Sequence, residues 1–269
     1  MTGENGGGAF VLLYIISVIL IALPIMVAEV FIGRHGKQNP VDSLKFTANE
    51  SSRFDFIEVD NDLNRIRSRR QQYSNTTDYT NWQLIGWSGI IAGILILSFY
   101  SVIAGWTMSY VFKAISGSFY LIDLTQSQEI FTNLTSDPEK LLAWHTLFMF
   151  FTCYICSKGV KGGLEKAVKL LIPILFIILI GLGFYSFTLP GFSDGINYMF
   201  VPDINKITPE VILGAMGMAF FSLSIGMGSL MIYGSYLSKD SSISEVTSIV
   251  AFADTFVAIL AGIIIFPMV

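Results

Sequence analysis

Gly217-Met-Ala-Phe-Phe-Ser-Leu-Ser-Ile-Gly-Met-Gly-Ser-Leu-Met-Ile-Tyr233 lies inside an apolar segment long enough to cross a bilayer, yet its middle suits a regular helix poorly. Ser222, Ser224, Gly226 and Gly228 fall within seven residues. Serine offers the backbone competing hydrogen bonds, and glycine costs roughly 1 kcal/mol against alanine in a helix interior. In hydrocarbon an unwound turn survives only where it is buried in protein or lines a cavity. Two readings stay open. Either the helix is broken at mid-depth, as where membrane proteins build ion and solute sites, or the small residues let neighbouring helices approach closely.

The surrounding composition sets the class. The 269 residues are 53% hydrophobic and 13% charged, with mean hydropathy +0.63. Soluble domains carry about 25% charged residues, so the chain reads as an all-α, polytopic membrane protein. The formal charge of −4 says less than where the cations sit. Cys153 and Cys156 lie three apart within an expected span, without a second pair or a histidine cluster, and read as small apolar fillers rather than a redox or zinc motif. No basic region precedes the first span, so it is not a secretory leader. His35 and His145 have no evident catalytic partner and no nucleotide-binding fingerprint occurs, which excludes the common enzyme classes.

Taken in order, a glycine-rich turn at 1–9 leads into a first span at 10–33, apolar except for Glu29 and expected to kink at Pro24. A polar loop covers about 34–81. Further spans are expected at about 83–113, 141–157, 164–187 (with Pro173 near its start), 209–237 and from 245 onward. Loops at about 114–140 and 188–208 separate the second from the third and the fourth from the fifth. Thr208 is placed to cap the fifth span, with Pro209 at its first position. The whole is read as one partial domain, 1–269.

With six spans, alternate loops share a side. The loops at 34–81, 158–163 and 238–244, with Lys166 and Lys169, hold 13 of the 16 Lys and Arg, which places them in the cytoplasm. Lys113, Lys140 and Lys206 remain outside. The basic run at 65–70 reads as a solvated loop or a contact to anionic lipid. The Asn-x-Ser/Thr matches at Asn49 and Asn75 fall on the cytoplasmic side and read as chance.

Six motifs in order carry a resemblance: Asn5-Gly-Gly-Gly-Ala-Phe10, Glu29-x-x-x-Gly-Arg34, Ser98-Phe-Tyr-Ser-Val-Ile-Ala-Gly-Trp106, Lys158-Gly-Val-Lys-Gly-Gly-Leu-Glu-Lys166, Pro202-Asp203 and Phe220-Phe-Ser-Leu-Ser-Ile-Gly-Met-Gly228. The chain resembles the neurotransmitter:sodium symporters, in their prokaryotic sodium-dependent amino acid transporter branch. The likeness covers almost the whole chain apart from an insert-like loop at about 48–80. It implies the leucine-transporter fold of two inverted five-helix repeats, with this chain matching family helices two to seven. It implies further that Met1 follows a missing first helix and that more helices would follow Val269, so the chain is expected to be a fragment. It places the chain in the cell's inner (plasma) membrane, in contact with membrane lipid and with the missing part of the transporter.

The resemblance also assigns residues. Tyr100 matches a tyrosine whose hydroxyl meets the substrate carboxylate, and Ile96, one turn earlier, a pocket wall. Phe221, Ser222, Ser224 and Met227 match the broken helix where it faces the amino acid substrate, and Met227 stands where the family is often aromatic. Ser222 and Asp254 match ligands of a co-transported Na+. An aspartate within a span costs about 2.5–3.5 kcal/mol on insertion scales, which marks it as functional. Its fixed negative charge implies that chloride is not required. Glu29 is left between a functional carboxylate and one simply bonded to backbone.

Overall fold

The computed structural model describes residues 2–3, 5–54, 81–238 and 240–268; the basic run at 65–70 and Asn75 lie outside them. Among the described residues the regular elements are all helical. In chain order they are α1 (Gly8–Ser17), a π-turn at Val18–Ala22, α2 (Leu23–Gly36), α3 (Pro40–Phe54), α4 (Trp82–Ile115), α5 (Leu124–Thr135) and α6 (Pro138–Ser157). There follow a π-turn at Val160–Leu164, α7 (Glu165–Phe187), α8 (Phe192–Phe200), α9 (Pro209–Ser222), α10 (Ser229–Tyr236) and α11 (Ile243–Ile265). Among the described residues, four helical stretches are long and apolar enough to cross a membrane: Gly8–Gly36, Trp82–Ile115, Val160–Phe187 and Ile243–Met268. The third expected span corresponds to α6, whose 20 residues reach about 30 Å. The fifth is α9 and α10, separated by a break.

Two compact units emerge from the packing, one formed by Met1–Ile91 with Leu179–Val269 and the other by Ala92–Ile178. In the first, Phe10, Tyr14, Val18, Ala22, Met26 and Val30 recur every four residues along α1 and α2. Val211, Ala215, Ala219 and Leu223 repeat at the same spacing along α9 and beyond its end, and the two rows share one core. Rows spaced four apart are the ridges that interlock in close helix packing. They drift about 40° per step around a 3.6-residue helix, and the wider π-turn takes up part of that drift. Pro24 explains its place: lacking an N–H and crowding the Leu20 carbonyl, it disturbs the ladder just where the π-turn lies.

Further along, α2 meets α10 backbone to backbone. A Cβ added at Gly33 would overlap the Met231 carbonyl, and one at Gly234 would overlap the Val30 carbonyl. Lys37 fastens the same pair by donating to Ser235 O at 2.9 Å in the last turn of α10 and to Leu237 O at 2.7 Å just beyond it. Arg34 Nη1 donates to Ser241 O at 2.6 Å.

The stretches read as polar loops contain helices. α3 falls inside 34–81 and turns Val41, Ser43 and Leu44 inward; Asn39 accepts from Asp42 N at 3.0 Å and Pro40 opens the helix. That Asn-Pro start was present in the sequence. α5 falls inside 114–140, where Asp123 and Gln126 form a reciprocal capping box. α8 falls inside 188–208. The expected Thr208 cap is present, accepting from Val211 N at 3.4 Å with Pro209 at the first helical position.

Candidate functional site

At the end of α9 the helix stops in a specific way. The Ser224 amide donates to Phe221 O at 3.2 Å and the Ile225 amide to Phe220 O at 2.9 Å. These two bonds are a Schellman closure, which requires a left-handed residue between them. Ser224 fills that place at φ 56°. Glycine is usual there, so a serine marks strain of the kind held at functional positions. Gly226 (φ 82°) and Gly228 (φ 72°) continue the unwound path, and α10 begins at Ser229. The helix is broken, and the four small residues mark the break, from Ser222 at the end of α9 through Ser224, Gly226 and Gly228. The closure satisfies the Phe220 and Phe221 carbonyls and leaves those of Ser222 and Leu223 beyond its two bonds.

Two carboxylates attend the break. Glu29, buried on α2, accepts from the Gly226 amide at 2.7 Å through Oε1, while its Oε2 has no hydrogen-bond partner among the described residues. Glu29 is thus bonded to backbone, as one of the two readings requires. On the other side, Ser222 Oγ donates to Asp254 Oδ2 of α11. Tyr14, buried on α1, donates to the same oxygen at 3.5 Å, and its hydroxyl lies 3.2 Å from that of Ser222. Residues 14, 222 and 254, distant in sequence, thus form one oxygen cluster. With both hydroxyl protons turned to the carboxylate, the hydroxyl lone pairs remain as acceptors. One negative charge with hard oxygens suits an alkali cation better than a soft metal.

Of the residues the resemblance assigned, the structure brings Ser222 and Asp254 together and places Ser224 in the strained turn between α9 and α10. Phe221 is partly exposed on the last turn of α9, and Met227 follows Gly226 in the break. Ile96 and Tyr100 lie one turn apart on α4 in the second unit, where the Tyr100 ring meets Phe99 edge-on at 4.9 Å. Tyr14 was missed. The signal was available, since a tyrosine hydroxyl in an apolar span needs a partner. Cys153 and Cys156 are free and exposed on α6, and among the described residues no three His, Cys, Asp or Glu side chains gather to hold a metal.

Apolar helices long enough to cross a membrane, with one apolar segment broken beside a buried carboxylate and a hydroxyl–aspartate cluster, define a multi-pass membrane protein of the broken-helix transporter class. Residues 118–269 match the sequence profile of the Sodium:neurotransmitter symporter family, and the chain belongs to that family, one of transporters rather than enzymes. It is 34% identical over 269 residues to YhdH, an uncharacterized sodium-dependent transporter of Bacillus subtilis (strain 168), covering 100% of this chain and 53% of that protein. An uncharacterized sodium-dependent transporter of Haemophilus influenzae is 34% identical over 274 residues, covering 99% and 54%. The human sodium-dependent neutral amino acid transporter SLC6A17 is 22% identical over 296 residues, covering 98% and 36%. The chain spans about half the length of the two bacterial relatives.

Proposed function

We propose that this chain, as part of a parent transporter, serves sodium-coupled symport of an amino acid or a related small zwitterion across the cytoplasmic membrane. The observation that carries the reading is the Tyr14–Ser222–Asp254 cluster at the mouth of a broken helix. Sodium is the co-transported ion, held by Ser222, Asp254 and the carbonyls the Schellman closure leaves over. Asp254 supplies a fixed negative charge at the site, so chloride is not required. Ser224, Phe221 and Met227 border the substrate on the α9–α10 side; Tyr100 and Ile96 of α4 are assigned to the substrate by the family resemblance alone. Met227 sets the pocket's shape with a flexible thioether side chain, which favours an aliphatic or adaptable fit. Binding of the cation and the zwitterion together stabilises one state of an alternating-access cycle, so the sodium gradient drives uptake. The names of the bacterial and human relatives support sodium dependence and a neutral amino acid substrate.

The experiment is uptake of radiolabelled neutral amino acids into membrane vesicles that carry the protein as encoded, under an inward sodium gradient. Accumulation that disappears when potassium replaces sodium, and that S222A and D254A abolish, is the expected result. Accumulation indifferent to sodium defeats the proposal. A second reading draws on the chain's coverage of about half of its relatives: a membrane polypeptide that needs further helices from another chain. Sodium binding without uptake favours it.

A further inference from the structure

The second unit holds a cavity of about 490 Å³ where the last turns of α4, α5 and the first turn of α6 meet. Lys113 and Lys140 both line it, with Ser109 and Asn133 as neutral hydrogen-bonding groups. Its apolar wall includes Phe112 and Trp144, whose rings pack 5.2 Å apart at 38°. By the loop charges only three of the chain's 16 Lys and Arg lie outside the cytoplasm, and two of those three share this cavity.

Each lysine is placed by something different. Lys113 sits in the last turn of α4, where a helix end favours a cation; its ammonium lies 3.4 Å from Ile130 O and 5.8 Å from the centre of the Tyr110 ring. Among the described residues it pairs with no carboxylate. Lys140 sits in the first turn of α6, where the helix end disfavours a cation, and Asp137 pairs with it at 2.8 Å. One carboxylate for two ammonium groups leaves the cavity with a net positive charge. The α6 amides of Glu139 and Lys140 are already taken by Asp137, so an anion entering the cavity would meet the Lys113 and Lys140 ammonium groups.

We infer that this cavity binds the phosphodiester headgroup of an anionic phospholipid in the extracytoplasmic leaflet. The choice of a lipid over a soluble anion rests on the setting. Lys113 ends a helix long enough to cross the membrane, aromatic rings floor the cavity, and Ile115, Tyr120 and Leu121 beside it are exposed apolar side chains. Aromatic and basic side chains gathered at a helix end are the pattern of the membrane interface, where a basic pocket between helices takes a headgroup. The bound lipid would tie α5 and α6 to the end of α4. The inference uses the orientation drawn from loop charge but not the transport reading, so it stands or falls separately from it.

The test is native mass spectrometry of the purified chain in detergent with phosphatidylglycerol, with zwitterionic phosphatidylcholine, and with inorganic phosphate as competitor. One phosphatidylglycerol is expected to remain bound where phosphatidylcholine does not. Its affinity should fall about thirty-fold in K113Q/K140Q, near fivefold for each lysine, and persist in K113R/K140R and in K206Q. Equal retention of the two lipids overturns the inference, as does wild-type retention by K113Q/K140Q or an equal loss in K206Q. Displacement by millimolar phosphate would assign the cavity to a soluble anion and overturn the lipid assignment. Both lysines are on the surface, and unchanged helix content by circular dichroism separates loss of binding from loss of fold.

Discussion

The Gly226 amide donates to Glu29 Oε1 at 2.7 Å, across 197 residues of sequence. A carboxylate of α2 thus takes the place of the helical acceptor that the break removes. Gly226 itself is exposed, so this bond, rather than burial, is what protects its amide. In E29L that amide should exchange with solvent about tenfold faster or more, the effect of losing roughly 1.4 kcal/mol, while E29Q keeps most of the protection through its carbonyl. Hydrogen exchange at Gly226 measures both. Equal protection in wild type and E29L would show that the bond does not hold the break.

Close approach of α2 and α10 gives a prediction whose sign is diagnostic. Alanine for glycine inside a helix ordinarily stabilises by about 1 kcal/mol. G33A and G234A should instead destabilise by about 1–3 kcal/mol or more, because the new Cβ meets backbone carbonyls that cannot turn aside. Thermal unfolding in detergent reads this out. At Gly93 an added Cβ meets nothing within 4 Å, so G93A should show no such loss.

The hydroxyl–aspartate cluster predicts ion selectivity. Sodium, but not potassium, should raise the melting temperature of the wild-type chain, by the equivalent of about 2.7 kcal/mol at a hundredfold excess over its dissociation constant. D254A should abolish the effect. Y14F, which removes one hydroxyl and keeps the ring, should weaken the apparent sodium affinity five- to tenfold, corresponding to about 1 kcal/mol. A sodium effect unchanged in Y14F would remove that tyrosine from the site.

Asp137 supplies a pH prediction outside the membrane. Its side chain bonds Lys140 and accepts from the Glu139 and Lys140 amides, each at 3.1 Å, so its carboxyl is held below the usual carboxylate range, first by the Lys140 side chain. A carboxyl with a lowered folded-state pKa contributes stability above its unfolded value and loses it as pH falls through the folded one. Protection of the Glu139 and Lys140 amides should therefore persist below the ordinary aspartate range and collapse only at still lower pH. D137A should lose it at every pH. Exchange at these two amides, followed against pH, distinguishes the cases.

Much of the architecture was legible because bilayers impose simple rules. Apolar length marks a span, and Thr208-Pro209 marks a helix start, since both depend on neighbours in the chain. The helices inside the expected loops were less visible. α3 begins with a readable Asn39-Pro40, but among the described residues its buried side chains are Pro40, Val41, Ser43 and Leu44, too short a stripe to announce itself. Glu29 and the 222–228 stretch could each be named in the sequence but not interpreted, because a serine–glycine run can equally serve close packing.

Composition, loop charge and the order of six motifs were enough to settle an all-helical membrane chain and its family, because those signals are local or additive along the polypeptide. Only the folded chain decided that the helix breaks at Ser224, that Glu29 holds the Gly226 amide, and that Tyr14 joins Ser222 and Asp254. The last two depend on groups some 30 to 240 residues apart reaching hydrogen-bond distance. Such pairings are enforced in a membrane because an unpaired polar group costs several kcal/mol there, and no local pattern says which partner will satisfy it.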